Sequence, residues 1–430
     1  MKLLKNILNI TDKLIKPLYY LVVFLSLFPS FYILSAFGNN TSSQIIALGL
    51  SSFILVYCML RNRSDLSKYS TYLKMLLLFF LVQSISSLVV INTESFLIHY
   101  KNLAAGMIIA INTLLVLGNK KNFEKINKVL FLVLFGSICF SVVFYFKLIN
   151  ISFFGNIFHQ KYISLLSAHL ENNKLLFESF LVCMTPLLFK VIVDSKTTIK
   201  KVIFGLLILL ISFLSYLSNF RVIFILFILS LLLSFIIIKI THKFYRSWRI
   251  LLMLSMVIIL GILIANNISS TVLNYALIDR FSLSEDSNNA SINQRMIYTK
   301  EAISIGLAYP IIGVGLGNYY DYLSITKNDF PGKSSLQRSL TVASLEDPHN
   351  IFAKLFAETG FIGLISFIVL LIYFIKKDVS AIKIRDPLQL SYIAIFWSHF
   401  IYSLFNPSFS FSYLNFFWIM RSLLMIGSVR

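Results

Sequence analysis

Long apolar runs separated by short polar connections recur along the whole 430-residue chain. Runs long enough to cross a hydrocarbon core of about 30 Å fall near 17–37, 44–60, 73–91, 102–117, 129–146, 175–193, 202–217, 222–240, 250–268, 351–375, 388–405 and 409–427. The expected fold is all-α, a polytopic membrane bundle of about twelve transmembrane helices. Only Asn219-Phe220-Arg221 separates the seventh run from the eighth, whereas a long polar connection, 269–350, separates the ninth from the tenth. The chain therefore reads as one membrane domain in three stretches: a nine-helix part (1–268), the long loop (269–350) and the last three helices (351–430). Within the loop, Ser291 followed by Gln294 forms a capping-box pattern. It predicts an amphipathic helix from about Ile292 to Leu307, ended by Tyr309-Pro310, too short and polar to span and so placed at the interface or over the bundle.

Composition agrees: 57% of the residues are hydrophobic and 13% charged, against about 25% charged in soluble domains. The net charge of +20 is informative through its distribution. Lys and Arg come in bursts at alternate connections: Arg61, Arg63 and Lys68; Lys120, Lys121, Lys125 and Lys128; Lys190, Lys196, Lys200 and Lys201; Lys239, Lys243, Arg246 and Arg249; Lys376, Lys377, Lys383 and Arg385. These fall on alternate connections, the pattern of the positive-inside rule. It places both termini in the cytoplasm and the long loop in the periplasm or cell exterior of a bacterial inner (plasma) membrane. The basic N-terminus, Met1 to Lys16, runs into a long span and reads as a retained first helix rather than a cleaved signal. No basic face or recognition motif accompanies the charge, which argues against a nucleic-acid partner. Cys58, Cys139 and Cys183 lie singly in apolar runs, without a spacing that suggests a disulfide or metal site. With no carboxylate cluster and no Walker pattern, neither a metal, a cofactor nor direct ATP use is expected.

Candidate chemistry gathers at the outer face. Arg221 heads the eighth run, and Arg280 and Arg295 flank the polar stretch of the loop; the planar guanidinium fork suits phosphate. Arg295 would lie in the first turn of the capped helix, where free amides favour an anion. The ordinary alternative for each is a snorkelling arginine. Pro310-Ile311-Ile312-Gly313-Val314-Gly315-Leu316-Gly317-Asn318 contains a glycine run that fits a phosphate cradle or, with no parallel strands around it, a tight turn of closely approaching backbones. Asp347-Pro348-His349-Asn350 opens the tenth run; His349 is a candidate general base or a hydrogen-bonded structural residue. Lys354 and Glu358 are spaced as an i,i+4 ion pair, and Gly360 and Gly363 suit close helix packing. His159 and His169 precede the sixth run near Asn172, Asn173 and Glu178. His99 and His242 read as solvated loop residues, His399 as intramembrane packing.

The stretch from Arg295 to Gly363 resembles the O-antigen ligase and polymerase superfamily. Arg295 on a loop helix is followed by Pro310, Gly313, Gly315 and Gly317, then by His349-Asn350, nine residues, and Gly360-Phe361-Ile362-Gly363. Arg221, after Ser215-Tyr216-Leu217-Ser218-Asn219-Phe220, matches a further family arginine; Phe220 stands where a small hydroxyl residue is common, and Ile225 where leucine is frequent. The resemblance implies a metal-independent, C-type membrane glycosyltransferase using undecaprenyl-diphosphate-linked glycans. Arg221, Arg295 and His349 would be catalytic, the arginines gripping the diphosphate and His349 activating the acceptor hydroxyl. Arg280, Asn350, Gly315, Gly317, His159 and His169 would bind substrate. The first reading is a repeat-unit polymerase of O-antigen or capsule, towards which Gly-x-Gly-x-Gly-Asn and Pro-His-Asn lean slightly. The second is an O-antigen ligase with lipid A-core as acceptor. The reading from another class is a lipid-linked sugar flippase. Expected partners are the lipid-linked oligosaccharide, a glycan or lipid A-core acceptor and membrane lipid, with room for a chain-length regulator protein.

Overall fold

The computed structural model describes residues 2–27, 42–61, 65–118, 120–146, 179–217, 221–241, 285–325, 348–405 and 411–428. Among these, every regular element is helical: α1 (Lys2–Leu27), α2 (Ser42–Arg61), α3 (Ser70–Ile85), α4 (Thr93–Leu117), α5 (Lys120–Phe146), α6 (Thr185–Asp194), α7 (Thr198–Leu217), α8 (Arg221–Thr241), α9 (Glu285–Ala308), α10 (Tyr319–Ile325), α11 (Ile351–Ile382), α12 (Pro387–Phe405) and α13 (Phe411–Ser428). Five helical stretches are long and apolar enough to cross a membrane, and four shorter apolar helices accompany them. Helix occupies, wholly or in part, each apolar window except 250–268, which lies outside the described residues.

Side-chain contacts fix the helix directions. Gln83, near the end of α3, donates to Gly363 O at 3.3 Å, while Tyr72, near its start, packs on Phe374 and bonds Ser422. Thus α3 runs against α11 and α13. Next, α12 returns beside α11, with Trp397 Nε1 donating to Asp378 at 2.8 Å and Phe405 reaching His349. Phe180 packs on Phe416 near the start of α13, and short connections then fold α6, α7 and α8 back on one another, with Tyr216 against Phe224 at the α7–α8 corner. The bundle consequently has a His349 end and an opposite end, and Lys68, Lys200, Lys201, Lys239, Lys376, Lys377 and Lys383 lie towards the opposite one.

Small residues let the helices approach, as apolar surroundings demand when burial itself gains little. A Cβ on Gly106 would meet the Trp418 ring at 2.3 Å, and one on Gly306 the Phe356 ring at 2.3 Å. The first marks the α4–α13 contact and the second the α9–α11 contact.

Helix α9 corrects one expectation. It begins at Glu285, so Ser291 and Gln294 are interior positions and no capping box starts there. The sequence that opens the helix, Glu285-Asp286, is of a kind that the N-terminal end of the helix dipole favours. Arg295 is accordingly three turns in, away from the open amides of a first turn. The C-terminal limit before Tyr309-Pro310 agrees with the structure.

Candidate functional site

The His349 end is organised around a break in α11. Gly360 has φ 62 and ψ −165 within an otherwise continuous helix, a conformation glycine adopts without the Cβ penalty. Breaking the helix there parts the amides of Phe361 and Ile362 from the carbonyls of Ala357 and Glu358, their ordinary i→i−4 partners. The glycine turn supplies replacements for all four groups. Phe361 N donates to Pro310 O (2.7 Å) and Ile362 N to Ile311 O (3.3 Å); Val314 N donates to Ala357 O (3.0 Å) and Gly315 N to Glu358 O (2.9 Å). Each buried backbone group left alone would cost about 1–3 kcal/mol, so the turn and the break stabilise each other. Gly313 (φ 67) sits at a close approach, where a Cβ would run into the Glu358 carbonyl carbon.

The break divides α11 into two parts with different surroundings. Residues 351–360 are buried throughout apart from half-buried Phe352, whereas Phe361, Ile362, Ile365, Ile368, Val369 and Ile372 leave an apolar face open. Helix α9 runs alongside the covered part in the same direction. Thr299 Oγ1 donates to Pro348 O at 2.8 Å, Ala302 and Ile305 share a core with Ala353 and Ala357, and Gly306 meets Phe356. Three ionisable residues, Glu301, Lys354 and Glu358, are buried in this region, with the Lys354 ammonium 5.9 Å from the Tyr320 ring centre.

His349 sits at the head of this assembly with φ 52, a left-handed backbone uncommon among non-glycine residues. Its Nδ1 lies 3.2 Å from Phe405 O. A carbonyl only accepts, so Nδ1 carries the hydrogen and Nε2 is the acceptor nitrogen of the neutral ring. The ring packs against Tyr298 at 6.4 Å between centres. Tyr298 is one helical turn beyond Arg295 on α9, which brings the half-buried Arg295 and His349 to one corner of the bundle. Asn350 is the N-cap of α11, its side chain accepting from the amides of Phe352 and Ala353 at 3.0 and 3.1 Å.

Arg221 is the first residue of α8. Ser230 of α8 bonds Ser398 of α12 at 3.0 Å. Counting from that pair, Arg221 is about 13 Å up α8 and Phe405 about 10 Å up α12 in helical rise, so the Arg221 backbone lies at the His349 end. Arg280, His159 and His169 lie outside the described residues.

The amide of Gly315 is committed to Glu358 O, and Gly317 (φ 78) packs where a Cβ would touch the His99 ring. His99 belongs to α4 rather than to a solvated loop, its Nδ1 2.9 Å from Ser95 O; His399 is buried against Phe416. Beyond Gly317, the Asn318 carboxamide oxygen accepts from the amides of Ile91 and Asn92, Asn92 donates to Asp321 at 2.7 Å, and Leu316 N donates to Ser86. The turn is thus seated on the α3–α4 corner as well as on α11. Among the described residues no three His, Cys, Asp or Glu side chains group as a metal site.

Sequence reasoning did not single out Tyr298, Thr299 or the Phe405 carbonyl as supports of His349. Asn350 before an apolar run carried a readable N-cap signal; the Phe405 carbonyl carried none, since every residue has one.

Among the described residues these features define a helical membrane protein with a glycine turn locked into a broken apolar helix at one end. Residues 205–368, from α7 through the broken part of α11, match the family model described as O-antigen ligase. No curated protein matches the chain.

Proposed function

We propose that this protein transfers a glycan from a polyprenyl-diphosphate donor to a sugar hydroxyl at the outer leaflet of the bacterial inner membrane, as a repeat-unit polymerase of O-antigen or capsule. The observation that carries the reading is the seating of His349 on Tyr298, one turn from Arg295, with its Nδ1 held by the Phe405 carbonyl. In that tautomer Nε2 takes the proton as the acceptor oxygen attacks C1 of the donor sugar. Arg295 and Arg221 are assigned to the diphosphate that departs, offsetting charge as the C1–O bond breaks; Arg280, His159 and His169 remain proposed contacts of the glycan. No step in this scheme calls on a metal.

A second reading, transfer of a finished chain to lipid A-core, is favoured by the description of the matching family model as O-antigen ligase. A deletion strain separates the two. Loss of a polymerase leaves lipopolysaccharide carrying single repeats, whereas loss of a ligase leaves polymer stranded on the polyprenyl carrier.

The chemistry is tested with purified protein, a lipid-linked donor and an acceptor. Asparagine tolerates the left-handed backbone of position 349, so His349→Asn should fold and melt like the parent while transfer falls roughly 100-fold or more, the scale of general-base loss. Parent-like turnover in that variant would remove the base from the mechanism.

A further inference from the structure

Three side chains in the interior of the bundle carry polar atoms that the packing around them leaves unbonded. Trp418 of α13 is the point of reference: its ring lies 6.2 Å from that of Phe79 on α3 and packs against Gly106 on α4. One turn closer to the His349 end, each of these helices carries a buried carboxamide: Gln83 on α3, Asn102 on α4 and Asn415 on α13. Offsets of three or four residues keep all three on the faces that make this contact. Gln83 commits its amide nitrogen to α11, donating to Gly363 O and Ser366 Oγ at 3.3 and 3.4 Å. Among the described residues nothing bonds Gln83 Oε1, Trp418 Nε1 or either polar atom of Asn415. All three residues are buried, so bulk solvent does not reach these atoms.

Apolar surroundings penalise such atoms, so a group of them calls for a partner of matching chemistry. The four atoms divide evenly. Trp418 Nε1 and Asn415 Nδ2 only donate, whereas Gln83 Oε1 and Asn415 Oδ1 only accept. A cation would use the acceptors alone and an anion the donors alone. A water molecule donates and accepts in equal number, and enclosed waters make about three such bonds. We propose that Gln83, Asn415 and Trp418 form a binding site for enclosed water that joins α13 to α3. Through Gln83 the site is tied to Gly363, just past the break in α11. The water thereby holds two neighbouring helices below the broken helix that His349 heads. This site is independent of the reaction proposed above, since none of its groups is assigned to substrate.

Water-edited solid-state NMR on the full chain in lipid bilayers, with nitrogen-15 in the tryptophan indoles, tests it. The chain has 3 tryptophans, and the signal that disappears in Trp418→Phe belongs to Trp418. In the parent, magnetisation from water should reach this indole hydrogen at short mixing times. Asn415→Leu removes one donor and one acceptor of the site and should abolish most of that transfer. A Trp418 signal that water fails to reach in the parent would overturn the proposal, as would equal transfer in Asn415→Leu. A high-resolution cryo-EM map of the parent gives a second measurement that needs no variant. It should show a water peak about 3 Å from at least two of the four atoms; direct bonds between the carboxamides and the indole, with no such peak, would overturn the site.

Discussion

Asn350 illustrates how one residue type serves two readings. Its neighbour His349 and its place before an apolar helix suggest substrate contact, yet its carboxamide oxygen already accepts two amides of the first turn of α11. Losing such a cap costs about 1 kcal/mol. Asn350→Ala should therefore lower the melting temperature of the purified protein by a few degrees and reduce transfer through misplacement of His349. Asn350→Ser, which restores an N-cap oxygen, should recover most of both. Recovery of stability without recovery of transfer would show that Asn350 also touches substrate. At Gly360 and Gly313, by contrast, backbone geometry leaves no room for a side chain: each has positive φ, and a Cβ on either would come within 2.5 Å of backbone on the partner segment.

At the scale of elements, α11 is both scaffold and span. Its first part is sealed by α9 and the glycine turn; its second part is tied at the opposite end by a buried ion pair. Arg421 of α13 donates to both Asp378 oxygens at 2.8 Å and to Phe374 O at 3.1 Å, with its guanidinium 4.2 Å from the Phe374 ring. Trp397 of α12 donates to the same carboxylate, so one acidic group pins three helices. Removing one partner of a buried pair costs roughly 3–5 kcal/mol because the other is left uncompensated, whereas replacing both with apolar groups is often nearly neutral. Thermal melts should accordingly rank Asp378→Leu and Arg421→Met well below the double variant. Additive losses would mean that the pair is not coupled in the folded protein.

At the scale of the molecule, the question is which side of the membrane the His349 end faces. By the positive-inside rule, the lysines gathered towards the opposite end predict that this end faces the cytoplasm. In a cysteine-free background, Ser304→Cys on exposed α9 should react with an impermeant maleimide on intact spheroplasts, and Lys377→Cys only after lysis. The reverse result would put the site in the cytoplasm and remove an outer-leaflet donor from consideration.

Much of this layout was legible in the sequence. Hydropathy marks the windows that the described residues fill with helix, because apolar composition is read segment by segment. The spacing from Arg295 through the glycines to His349 and Gly360 likewise marked segments that the structure brings together at one end of the bundle. The start of α9 was misread because Ser291 and Gln294 have capping chemistry, while Glu285 and Asp286, further upstream, have the charges that the helix dipole rewards.

What sequence alone determined, then, is the succession of apolar helices and the N-cap at Asn350 that opens α11. Only the tertiary structure decided that the glycine run closes a break in α11, that Phe405 sets the tautomer of His349, and that Arg295 shares its corner. Those outcomes are exchanges of hydrogen bonds between segments some fifty residues apart. Any backbone amide or carbonyl could take part, so no side-chain pattern announces them until packing brings the segments together.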